Sequence, residues 1–141
     1  MKFIFKHRSR GFSLVELVIV VAIMAVLIGI LVPTLTRHIH KSRVTTDWEN
    51  LRSYFSEIEA DFASTSEYNP AVPTDVNDPD YFNRREIHYL DGHTAKMKTG
   101  YFSVSKGSSG YGYQIAYYCD KCLTNWNKHS KTCELILGAN N

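Results

Sequence analysis

Three cysteines and a histidine crowd the last quarter of this 141-residue chain, in the order Cys119-x2-Cys122-x6-His129-x3-Cys133. Thiolates and imidazole are the ligands of tetrahedral structural zinc, so these four make a Cys3His set. The gap between its two halves is short for such a site. The same residues also support a disulfide. Joining Cys119 to Cys133 would close the segment 120–132 and contribute about 3 kcal/mol by restricting the unfolded chain. Cys122 is the remaining candidate thiol, explained by zinc and left over by a disulfide. Spacing decides neither the pairing nor the metal. Loops of exported domains oxidise, so the expectation is a disulfide and no cofactor, with zinc on Cys119, Cys122, His129 and Cys133 as the alternative.

Other residues of reactive type group less well. Asp75, Asp78 and Asp80 lie close together and carry the oxygens a calcium ion wants, but without EF-hand spacing they read as a solvated loop. His38 and His40 are two apart and diverge on a helix. With Arg37, Lys41 and Arg43 they read as a solvated collar. His88, His93 and the serines at 103, 105, 108 and 109 form no nucleophile elbow or metal signature and are expected to be strand and turn residues. No catalysis is expected.

The most pointed residue is Glu16. From Phe12 to Pro33 there are 22 residues, and Glu16 is the only charged one. About 20 apolar residues cross a bilayer, and a carboxylate in such a span costs roughly 2–3 kcal/mol near its centre and less at its edge. An ordinary secretory signal would have a shorter apolar run and a small-x-small cut site. Here the run ends in Ile30-Leu31-Val32-Pro33-Thr34. Just before it, Gly11 lacks a side chain, so its backbone can enter a tight site and take up strained dihedrals.

Arg10-Gly11-Phe12-Ser13-Leu14-Val15-Glu16-Leu17, continued by the apolar run through Leu31 and by Pro33, resembles the processing motif of type IV pilins and type II secretion pseudopilins. The resemblance covers about the first 35 residues. It implies cleavage between Gly11 and Phe12 by a membrane prepilin peptidase, N-methylation of Phe12, and pairing of Glu16 with the Phe12 amine of a neighbouring subunit. It also implies an assembly ATPase, a platform protein and copies of the chain itself as partners. Gly29 and Pro33 would mark a stretch that loses helical structure on assembly, and a C-terminal loop closed by a disulfide is common in the family. The function implied is a structural filament subunit. A pseudopilin of a secretion or DNA-uptake apparatus is the nearest alternative. A single-pass anchored domain that binds a ligand or zinc is the alternative of another class.

Charge argues against a nucleic-acid role. Lys2, Lys6, Arg8 and Arg10 account for the basic excess, and residues 65–141 hold eight basic and eight acidic side chains. A neutral head lacks the basic face that releases counterions from phosphates. Orientation by charge is slight, because Arg37, Lys41 and Arg43 follow the span. The resemblance places the leader in the cytoplasm and the head outside, first anchored in the membrane and later in an extracellular or envelope-spanning filament.

These residues need elements to position them. Val44, Trp48, Leu51, Phe55, Ile58 and Phe62 recur at helical spacing, with Thr45, Asp47, Glu49, Arg52, Glu57 and Asp61 between them, which predicts an amphipathic helix. Gly29 and Pro33 predict a kink or soft spot at 29–33. Residues 65–85, with three of the four prolines, predict an irregular connection. Strands are expected at Glu86–Leu90, Tyr101–Ser105, Tyr111–Tyr118 and Thr132–Leu137, with turns at Asp91-Gly92 and Lys106–Gly110. The fold expected is α+β: a long N-terminal helix, its lower half transmembrane, packed on a small antiparallel sheet. The segments are 1–11, a basic leader that is removed; 12–33, the transmembrane half of the helix; 34–64, its amphipathic half; and 65–141, a loop and sheet head.

Overall fold

The computed structural model describes residues 11–107, 110–120 and 134–138, and the chain divides into two compact units, Met1–His38 and Ile39–Asn141. A single helix, α1 (Leu14–Thr65), contributes to both. In the first unit every described side chain is exposed. The helix is apolar and long enough to cross a membrane, and none of its most apolar stretch is buried in the protein. Aliphatic side chains presented on all sides of a helix need lipid or other helices as solvent.

α1 runs through Gly29 and Pro33 without interruption, so helical structure continues across 29–33, where a kink or soft spot is expected. Proline deletes one hydrogen bond, but helix propagation on both sides is cooperative and holds the turn. The helix ends on Ser66, which adopts a left-handed φ of 58° while its N–H donates to the Phe62 carbonyl at 2.7 Å. This is the stop commonly made by glycine.

In the second unit the helix from Ile39 onward packs on two small antiparallel sheets. β1 (Glu86–His88) pairs with β2 (Thr94–Lys96), and β3 (Gly100–Lys106), β4 (Tyr113–Cys119) and β5 (Glu134–Leu137) form a sheet in that order. Asp91-Gly92 turns the first hairpin, as expected, with Gly92 at φ 94°. β2 was not expected: Thr94-Ala95-Lys96 is too short to show an alternation, so the sheet layer is two sheets rather than one. Tyr111, expected in a strand, lies before β4 and is exposed. Gly112 beside it takes φ 68°, which ends strand geometry there.

β4 alternates cleanly. Tyr113, Ile115, Tyr117 and Cys119 are buried while Gln114, Ala116 and Tyr118 are half-buried, the period of two that a half-buried strand requires. The buried set meets Val44, Leu51, Tyr54 and Ile58 of α1 together with Val72, Ile87, Tyr89, Phe102 and Val104. Each such aliphatic or aromatic side chain contributes about 1.5–3 kcal/mol on burial. Trp48, Phe55 and Phe62 are partly buried against this core, so the expected stripe is the packed one. Two residues correct it. Tyr54 belongs to the core, and Asp47, read with the polar residues between the stripe positions, is fully buried.

Candidate processing and assembly segment

Gly11, Phe12 and Ser13 precede the helix. The Leu17 N–H donates to the Ser13 carbonyl at 3.2 Å, so Ser13 is the N-cap. The Ser13 N–H in turn donates to Oε2 of Glu16 at 2.9 Å. Ser13-Leu14-Val15-Glu16 is thus a capping-box sequence whose acidic arm is closed. The carboxylate that looked costly in an apolar span satisfies a backbone donor at the first turn, where the helix dipole favours negative charge. Sequence reasoning missed this role, although Ser-x-x-Glu before an apolar run is its signal. Phe12 is 86 % exposed and Leu14 78 %, so the Gly11–Phe12 bond stands outside regular structure with bulky apolar groups beside it. Nothing lies within 4 Å of a Cβ added at Gly11 or Gly29, and packing within the single chain therefore explains neither glycine.

Residues 6–32 match the prokaryotic N-terminal methylation motif. The chain carries a type IV prepilin-like signal. The match covers residues 6–11 of the leader, Phe12, Glu16 and most of the exposed apolar helix, and it supports a pilin-like or pseudopilin protein. No curated protein matches the chain, and no solved structure does.

Cys119 is buried at the end of β4, whereas Cys122, His129 and Cys133 lie outside the described residues, as do Ser108 and Ser109. Asp75 accepts the N–H of Asn77 at 2.9 Å and its side-chain amide at 3.2 Å. Asp78 accepts the N–H of Asp80 at 2.9 Å and pairs with Arg84. These carboxylates shape turns within 66–85, and among the described residues no group of three or more His, Cys, Asp or Glu is placed to hold a metal ion. His88 is exposed on β1. His93 stacks on Tyr89 with ring centroids 3.8 Å apart and pairs with Asp91. The Asp91 carboxyl is held below its ordinary value, first by the His93 backbone N–H and also by the imidazole. Ser103 and Ser105 are strand residues. Of the expected collar, Arg37, His38, Lys41 and Arg43 are exposed, but His40 is half-buried because its ring turns to Thr99.

What positions the head on its helix is a set of acidic side chains that no motif announces. Asp47 accepts the N–H groups of Lys98 and Thr99 at 2.6 and 3.0 Å and the Tyr117 hydroxyl at 3.1 Å. Glu59 accepts the Tyr113 N–H at 2.5 Å, and Asp61 accepts the side-chain amide of Asn69 at 2.8 Å. Burial pushes the Tyr117 hydroxyl well up from its ordinary value, and the neighbouring Asp47 charge adds to it. The signal available in sequence was position: Asp47 falls three residues after Val44 and four before Leu51, on the apolar face.

Proposed function

We propose that this chain is the precursor of a subunit of a type IV pilus-like filament. A membrane prepilin peptidase cuts between Gly11 and Phe12 and methylates the new Phe12 amine. The mature helix then leaves the lipid and enters a filament of like subunits, driven by an assembly ATPase and a platform protein. The head stands outside the cytoplasm throughout.

The observation that carries this reading is the methylation motif at 6–32 set at the start of a helix whose apolar side chains, from Leu14 to Leu35, have no cover in the chain. Such a surface is soluble in lipid and adhesive to its own kind once out of it. Glu16 suits both settings. In the subunit it caps Ser13, and a carboxylate has acceptor capacity to spare for a neighbour's amine. Desolvated ion pairs of this kind set register more than they add stability.

Glu16→Ala tests it in cells that assemble the filament. The variant is expected to insert and be cleaved as the parent is, while sheared filament yield falls by about tenfold or more, as loss of one partner of a desolvated pair requires. Filaments at parental yield from the variant would count against a registering role for Glu16.

A further inference from the structure

Asp47 is fully buried on the core face of α1, and two of its three donors are consecutive amides of the turn between β2 and β3, at Lys98 and Thr99. His40 lies two helical turns earlier on the same face. Its Nδ1 is 3.4 Å from the Thr99 hydroxyl, and its Nε2 is buried without a partner among the described residues. Thr99 is therefore gripped from both sides by titratable groups of one helix. The β1–β2 hairpin that feeds this turn is not part of the three-stranded sheet. Its further ties include the Tyr89 hydroxyl on the Asn50 carbonyl at 3.0 Å, the edge-to-face packing of Tyr89 on Tyr54, the Arg85–Asp120 ion pair and a bridge between Arg84 and Phe102. The Thr99 carbonyl also accepts the Asp120 N–H at 2.9 Å.

We propose that His40 and Asp47 form an acid-sensitive clasp: protonation releases the Lys98–Thr99 turn from α1 while the three-stranded sheet stays intact. A proton on Asp47 converts one acceptor oxygen into a donor and faces it toward N–H and O–H groups that are themselves donors. A second proton on the His40 ring either adds a buried Nε2–H with no acceptor among the described residues or removes the Nδ1 lone pair that faces the Thr99 hydroxyl, and both are unfavourable. Both changes act in the same direction, so the clasp is closed at neutral pH and opens as pH falls. The other titratable groups nearby do not counter this. Tyr117 stays protonated throughout, and Cys119 is a buried neighbour of it on β4. Lys98 is exposed, and Asp120 is engaged by Arg85 at 2.7 and 2.9 Å. This clasp is independent of whether the chain polymerises.

Amide exchange read residue by residue in the full chain, held in detergent micelles, tests the clasp. The range runs from about pH 7.5 to about pH 3, which spans ordinary histidine and aspartate, with rates corrected for intrinsic exchange. The Lys98 and Thr99 amides are expected to be protected at the upper end and to lose about tenfold or more at the lower, with the β3–β4 ladder amides still protected. Asp47→Asn should exchange freely at these two amides even at neutral pH. His40→Gln, which keeps a hydrogen-bonding group beside Thr99, should stay closed at neutral pH and open only in the lower half of the range. Equal protection of Lys98 and Thr99 at both ends in the parent would overturn the proposal. So would their loss in step with the β3–β4 ladder, which would mean unfolding rather than release.

Discussion

Asp47 shows what one side chain does when pattern and chemistry disagree. Helical spacing puts it on the apolar face, and its charge argues against burial. Three donors resolve the conflict. Removing one of them should be mild: Tyr117→Phe is expected to cost about 1 kcal/mol in chemical denaturation of the head. Asp47→Ala leaves two amides and a hydroxyl with no acceptor and should cost about 3 kcal/mol or more. Equal costs would mean that the amides find other partners. Gly112 makes a similar point about shape. At φ 68° a Cβ would sit 2.7 Å from a Glu59 carboxylate oxygen, the group that accepts the Tyr113 N–H. Spacing places Asp47 on the apolar face but does not show its partners, and nothing in the sequence marks Gly112, because each depends on a contact more than fifty residues away along the chain. Glu16 and Gly11 were legible because their whole context lies within one short motif.

At the scale of elements, the sequence announced whatever repeats. The 3.6-residue stripe of α1 and the two-residue alternation of β4 are each long enough to be read, and both are built as expected. β2 has three residues and no period to read. Gly29 and Pro33, where a kink or soft spot is expected, lie inside a continuous helix. From this follows a prediction: Pro33→Ala should leave membrane insertion and head stability unchanged, and any defect should appear only in assembled filaments. A loss of head stability measured on the extracted subunit would contradict it.

For the whole molecule, the head is a tyrosine-rich core on a helix, and its response to base follows. Burial, the largest cause, raises the Tyr54 hydroxyl to about 12 and moves Tyr117 further in the same direction. Unfolded tyrosine ionises near about 10. Between these values the unfolded chain has released protons that the native state still holds, so stability falls as pH rises. The head should be unaffected up to about pH 10 and then unfold cooperatively, with a late step in phenolate absorbance that coincides with loss of sheet structure. Smooth titration of all nine tyrosines near the ordinary value, with the fold intact, would contradict the burial described for Tyr54 and Tyr117.

The central claim concerns the other end of the chain, and one measurement addresses it most directly: the intact mass of the membrane-extracted protein, expressed with and without an active prepilin peptidase. The account predicts a chain that begins at Phe12 and carries one added methyl group, and that appears only when the peptidase is present. A chain still bearing Gly11 and the residues before it, in membranes where the peptidase cuts a known substrate, would contradict it.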